Sequence, residues 1–253
     1  MLKYEVFGDE NAEPLVVCHG FTGSSSSFEE LVFPNVTTYA INWPGHDGKH
    51  YTLFPTWEEH IELLHSFIST VISQEVTLLG YSMGGRLAIG YAMKYPHMVK
   101  KLVLESTSPG LLEGRNNRKE ADEQLATKIE ENGLEWFLSF WEDIPLFSSI
   151  EEVHRVKLRA ERSKHTVDGL SHSLRAVGTG VQPSYWARLK DFHRPVFIIV
   201  GEKDSKFLAI GEKMNTFFPQ SNLIKVSSAG HIPHVEEFEK FGTIVKKLMK
   251  EDF

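Results

Sequence analysis

Residues 77–86 read TLLGYSMGGR, a short apolar run that breaks into glycines around one serine and ends on an arginine. Gly80-Tyr81-Ser82-Met83-Gly84 has the spacing G-x-S-x-G, and it stands directly after a predicted strand and before a predicted helix. In that context the serine occupies a sharp, strained turn, where small neighbours are needed because backbone and side chains crowd together. Its Oγ is held clear of the sheet, and the next helix points its N-terminal N–H groups at the reaction centre. The Met83 N–H is then one expected oxyanion donor. The second is the N–H of Phe21, in the loop Cys18-His19-Gly20-Phe21 after the first long strand. Gly80–Leu87 also approaches the phosphate-loop spacing G-x-x-x-x-G-K-[ST], but Arg86 and Leu87 stand where a lysine and a magnesium-binding hydroxyl are required.

A lone serine is a weak nucleophile or base near neutral pH; it needs a histidine, and the histidine needs an orienting carboxylate. On a strand–turn–helix scaffold of this kind the chain order is Ser, acid, His. Asp204 follows the apolar strand PVFIIVG, and His231 follows the strand LIKVS through Ser228-Ala229-Gly230. Both fall in loops at strand ends, so Ser82, Asp204 and His231 form the predicted triad. Glu202 is a rival acid, but it leaves the strand end too early. The other histidines have plainer readings: His19 shapes the oxyanion loop by hydrogen bonding, and His46 belongs to the turn Trp43-Pro44-Gly45-His46-Asp47-Gly48. His234 lies three residues beyond His231, yet no third ligand at a sensible spacing makes them a metal site. No metal is expected.

Working outward, strand-like runs recur at Pro14–Cys18, Thr37–Ile41, Val76–Leu79, Lys101–Leu104, Pro195–Val200 and Leu223–Val226. Thr56–Ser73 carries apolar residues at helical spacing, with Thr56 and Glu59 as a capping box. A second helix is predicted over Ser82–Tyr95, and a last one presents Val235, Phe238, Phe241, Ile244, Val245 and Leu248 on one face. The alternation predicts an α/β fold with a mostly parallel sheet flanked by helices. Over 111–182 the rhythm changes to charged, helix-forming sequence, read as a helical cap inserted between core segments 1–110 and 183–253.

Composition narrows the setting. The chain has 253 residues, 41% hydrophobic and 24% charged, ordinary for a soluble domain of this size. No run approaches the roughly 20 apolar residues of a membrane span, and the N-terminus has no apolar signal core. A single cysteine, Cys18, fits a reducing cytoplasm, where the sequon at Asn35-Val36-Thr37 carries no glycan. The net charge of −7 argues against nucleic acid as a partner. Monomer and homodimer stay equally open.

The set HGFTGS, PGH, GYSMGG, GEKD and AGH resembles the α/β-hydrolase superfamily over nearly the whole chain. GYSMGGR, ESTSPGL, VQP and GEKDSKF together resemble one family within it, the 2-succinyl-6-hydroxy-2,4-cyclohexadiene-1-carboxylate synthases of menaquinone biosynthesis. The resemblance implies a cofactor-free lyase that eliminates pyruvate from an enolpyruvyl tricarboxylate. It also implies that Arg86, Arg118 and Arg162 bind carboxylates and that Tyr81, Trp141 and Gln182 line the pocket. Asn42, Trp43 and Lys203 depart from the family pattern without touching the triad.

The residues speak to the same chemistry. Six of the nine arginines (Arg115, Arg118, Arg155, Arg159, Arg162 and Arg175) fall in the insertion, and Arg86 lies one helical turn after Ser82. Arginine's planar fork suits carboxylates, for which an esterase of neutral acyl groups has no need. Arg155 and Arg159 alternate with glutamates and also read as surface pairs. Two rival functions share the triad: a serine hydrolase of a small anionic substrate, whether carboxylesterase or C–C hydrolase, and a non-catalytic ligand receptor.

Overall fold

The computed structural model describes residues 1–250, so the last three positions of the second core segment, 251–253, lie outside the described residues. Seven strands form one sheet: β1 (Lys3–Gly8), β2 (Glu13–Cys18), β3 (Val36–Asn42), β4 (Val76–Tyr81), β5 (Val99–Glu105), β6 (Val196–Gly201) and β7 (Ser221–Val226). Their order is β1-β3-β2-β4-β5-β6-β7, with β1 antiparallel to β3 and every other pair parallel. The central strands β4 and β6 are buried at all six residues, which is why their sequences read as continuous apolar runs rather than alternations. Successive residues feed opposite layers: Leu78 packs with Leu102 and Ile198 on one face, Leu79 with Val103 and Phe197 on the other.

The helices α1 (Trp57–Phe67) and α2 (Met83–Lys94) belong to the first part of the core. The capping box at α1 is present, with Thr56 Oγ1 accepting from the Glu59 N–H at 3.3 Å and Glu59 Oε2 accepting from the Thr56 N–H at 2.7 Å. Beyond Phe67 the helix widens into a π-turn over Ile68–Ile72 and stops at Ser73, which is left-handed (φ 59°). Glycine at position 84 lets α2 start hard against the end of β2, since a Cβ there would lie 2.1 Å from the Cys18 carbonyl oxygen.

Between β5 and β6 the chain leaves the sheet for α3 (Arg115–Glu142, broken at Gly133), α4 (Glu152–Arg162) and α5 (Val167–Val177). These helices keep a small core of their own, with Ala126, Ile129, Phe137 and Leu138 of α3 against Leu170 and Leu174 of α5. A polar tie fastens α4 to the turn between β2 and β3: Glu161 accepts the hydroxyls of Ser24, Ser26 and Ser27 at 2.6, 3.2 and 2.6 Å. The core resumes with α6 (Ser205–Phe217), α7 (Pro233–Glu236) and α8 (Phe238–Lys250). The last helix expected from sequence is therefore two, split at Glu237 (φ −140°, ψ 56°). Strand β1 was not foreseen; as an edge strand it buries little, so KYEVFG mixes charged and apolar residues without a clean signal.

Candidate active site

The turn after β4 brings the site into being. Ser82 has φ 48° and ψ −108°, a conformation rare for a side-chain-bearing residue and held here from several sides. Its N–H donates to the Glu105 carbonyl at 2.9 Å, and its carbonyl accepts from Thr107 Oγ1 at 2.7 Å and from the Arg86 N–H at 3.0 Å. The strained turn is thus braced against the end of β5 on one side and starts the α2 hydrogen-bond ladder on the other. The first N–H groups of α2, Met83 included, precede that ladder and have no acceptor within the helix.

Asp204 caps α6, accepting the Phe207 N–H on Oδ1 at 3.1 Å, which leaves Oδ2 to accept from His231 Nδ1 at 2.6 Å. His231 Nε2 faces Ser82 Oγ at 3.3 Å. The three residues predicted from spacing therefore meet in triad geometry. Asp204 and His231 are buried, whereas Glu202 and Lys203 beside the acid are exposed. The rings of Phe207 and Tyr81 lie 4.6 and 5.6 Å from the His231 ring and limit its tilt.

The loop after β2, which the sequence marks as the expected oxyanion loop, is held by histidines acting as hydrogen-bond spacers. His19 Nδ1–H donates to the Gly20 carbonyl at 2.7 Å, and its Nε2 accepts from the Trp43 N–H at 3.1 Å. His46 Nε2 accepts from the Thr22 N–H at 3.2 Å, while His165 donates from α4's end to the Thr22 carbonyl at 3.0 Å. Burial drives the His19 pKa from 6.5 down to about 4, and lowers His46 and His165 as well. A folded-state pKa below the unfolded one means stability that is present above pH 6.5 and lost as pH falls toward about 4. We expect the urea midpoint to drop between about pH 7 and pH 5; equal midpoints would contradict neutral, buried histidines here.

Ser82 and His231 open on a cavity of about 170 Å³ beneath the inserted helices. Phe21, Tyr81, Met83, Arg86, Arg118 and Trp141, each singled out in the sequence, reach its wall. Arg86 is buried, stands over the Trp57 ring (5.9 Å) and donates one N–H to the Val177 carbonyl at 2.7 Å. Desolvation lowers its pKa to about 10. Among the described residues no carboxylate is within ion-pair range of its fork. Arg118 is half-exposed and bound to Asp122 at 2.7 Å, its carboxylate neighbour on the same wall.

Arg162 and Gln182 are buried but do not line this cavity. The Arg162 guanidinium lies over the Phe147 ring at 5.0 Å with Nε unpartnered, and Phe147 presents the wall instead. Gln182 Nε2 donates to the Ser108 carbonyl at 3.1 Å, and Ser108 is the wall residue. Arg155 caps three carbonyls, of Ile150, Glu142 and Phe147, rather than pairing at the surface; Arg159 does pair, with Glu135 and Glu142. His234 is engaged by Glu105, which accepts both its N–H (2.9 Å) and its Nδ1–H (2.8 Å). Residues of the site not singled out from sequence include Thr107, Asp122, Phe147 and Lys206. The motif GEKDSKF contained Lys206, but nothing in its spacing sets it apart from other surface lysines.

A family model described as the alpha/beta hydrolase fold matches residues 13–238. A Bacillus subtilis (strain 168) protein, provisionally named 2-succinyl-6-hydroxy-2,4-cyclohexadiene-1-carboxylate synthase, is 42% identical and covers 94% of this chain and 91% of its own length. An Enterobacter sp. (strain 638) protein named as the same synthase is 30% identical, covering 88% of this chain and 86% of its own. The solved structure of MenH from S. aureus superposes with a TM-score of 0.92 at 31% identity, covering 98% of this chain and 97% of that one.

Proposed function

The chain belongs to the α/β-hydrolase fold family and, within it, to the 2-succinyl-6-hydroxy-2,4-cyclohexadiene-1-carboxylate synthases, and from that premise we propose how its own residues carry out the lyase reaction. The reaction eliminates pyruvate from 2-succinyl-5-enolpyruvyl-6-hydroxy-3-cyclohexene-1-carboxylate, a step of menaquinone biosynthesis. Ser82 Oγ takes the ring proton beside the succinyl ketone while passing its own proton to His231 Nε2. Asp204 Oδ2 fixes the imidazole through Nδ1–H and stabilises the imidazolium that forms. Negative charge grows on the ketone oxygen, where the N–H groups of Phe21 and Met83 receive it. The electron pair then moves through the ring double bond, the C–O bond to the enolpyruvyl group breaks, and the leaving enolate takes up a proton to become pyruvate. No water is consumed and no cofactor is called for.

One observation carries this reading: Arg86, one turn from Ser82, is a buried cation on the cavity wall that, among the described residues, has no carboxylate within ion-pair range, the charge of Asp122 reaching it only from a distance. Keeping such a charge out of water is costly unless an anion meets it. A tricarboxylate supplies that anion, with Arg118 as a second contact. The buried Trp141 Nε1, also without a protein partner, offers a further donor on the same wall. Arg162 and Gln182 act on the pocket from behind Phe147 and Ser108. The reading assigns the enzyme to the cytoplasm, consistent with the buried free thiol of Cys18; no helix among the described residues is long and apolar enough to cross a membrane.

The test follows both products at once, using the enolpyruvyl substrate generated in situ. The ultraviolet absorbance of the diene and the amount of pyruvate should rise together, one for one, well above the spontaneous rate. Background-level release with brisk hydrolysis of activated esters would make the same triad a hydrolase.

A further inference from the structure

His231 must hold two bonds at once, and the loop that carries it has no sheet bonds of its own. Ser227–Ile232 connects β7 to α7 and includes a left-handed residue, Ser228 (φ 69°). One anchor comes from the acid's loop, where the Lys203 N–H donates to the Ala229 carbonyl at 2.9 Å. Lys240 Nζ holds the start of the loop at the Ser227 carbonyl at 3.0 Å, and the stretch around His231 itself is held by a single carboxylate. Glu236 Oε2 accepts the Gly230 N–H at 2.9 Å, and Oε1 accepts the Ile232 N–H at 2.9 Å. These are the N–H groups of the two residues that flank His231.

Ser149, in the segment between α3 and α4, adds a third donor to this carboxylate, meeting Oε2 at 2.9 Å. It packs so closely that a Cβ on Gly230 would fall 1.9 Å from its Oγ. The neighbouring acid shows the contrast: Glu237 makes an ordinary surface pair with Lys240 at 3.0 Å. Among the described residues Glu236 has no cationic partner; its partners within the protein are these N–H and O–H donors.

We propose that Glu236 is a positioning residue for the base, a carboxylate clamp that bridges the backbone on both sides of His231 and fixes where the imidazole stands between Asp204 and Ser82. The proposal rests on the reading of His231 as the base. Reactions of this kind tolerate little displacement of the proton-transfer group, so a loosened clamp acts on turnover more than on substrate binding. A glutamine cannot do the same work, because its amide nitrogen would face a backbone N–H.

The experiment compares Glu236→Gln, Glu236→Asp and Ser149→Ala with the parent enzyme, with His231→Ala as reference. It reads kcat, KM, folded fraction and the Nδ1–H proton resonance of His231. Glu236→Gln should lower kcat on the order of tenfold or more with KM within about twofold, and should broaden or move that resonance. Glu236→Asp, one methylene short of bridging both N–H groups, should recover part of the loss. Ser149→Ala leaves both backbone bonds in place and should lower kcat by only about two- to threefold. A stable Glu236→Gln enzyme with parental kcat and an unmoved resonance would overturn the proposal, as would a loss accounted for by the unfolded fraction alone. If Glu236→Gln does not fold, parental kcat in both other variants overturns it. Near-parental activity in His231→Ala would instead remove the base assignment itself, and the clamp's purpose with it.

Discussion

Ser82→Ala should abolish pyruvate release, lowering kcat by roughly 10³-fold or more while leaving KM and thermal stability close to the parent's. The methyl group keeps the volume of the side chain but can neither accept the ring proton nor relay one to His231. His231 Nε2 points at Ser82 Oγ across 3.3 Å, so without the hydroxyl it is aimed at a group that cannot carry a proton. In the proposed reading binding rests on other residues of the cavity wall, Arg86 and Arg118 foremost, and those are untouched. Alanine bears the same backbone strain at φ 48° as serine, and the braces from Glu105 and Thr107 are made by main-chain atoms of residue 82. Steady-state kinetics and a melting curve on the same preparation decide the matter. Substantial residual turnover would show that some other group removes the proton.

Arg86→Ala should weaken both binding and turnover, with kcat/KM lower on the order of a hundredfold. The mutation removes a desolvated cation from the wall, breaks the bond to the Val177 carbonyl at the end of α5, and strips the Trp57 ring of its cation. Arg86→Lys separates these parts. Lysine restores a charge but not a planar fork able to hold the Val177 carbonyl and a substrate carboxylate together, so it should recover only part of the loss. Kinetics unchanged in Arg86→Ala would remove the main support for an anionic substrate and return the site to ordinary ester hydrolysis.

How much of this could be read from sequence depends on how local each signal is. The triad was legible because each member follows a strand in a short, typed loop: Ser82 after β4, Asp204 after β6, His231 after β7. Spacing to a strand end is nearly a coordinate. The capping box of Thr56 and Glu59 was legible for the same reason. Arg162 and Gln182 were not placed so well, since whether a side chain meets the cavity or stands behind its wall depends on which neighbour comes between. Phe147 and Ser108 come between, and neither lies near its partner in sequence. Arg155 resembled Arg159 in its glutamate-rich context, yet one caps carbonyls across 13 residues while the other pairs with acids. Strand β1 and the break at Glu237 were lost because each lies where burial is shallow or the helix pattern continues across the break.

Glu236 illustrates a further kind of opacity. In sequence it is one acid in HVEEFEK, indistinguishable from Glu237 and Glu239. Only the fold shows that α7, a single turn, folds it back on the loop preceding it while Glu237 faces Lys240.

A hydrolase-type triad that attacks hydrogen rather than carbon must break a C–H bond of its substrate in turnover. The most direct measurement is the isotope effect on kcat/KM with substrate carrying deuterium at the ring carbon beside the succinyl ketone, read by competition against unlabelled substrate. A clear normal primary effect is expected, because C–H cleavage by Ser82 precedes or accompanies loss of the enolpyruvyl group. An effect of unity, with substrate-derived mass appearing on Ser82 during turnover, would contradict it and make Ser82 a nucleophile.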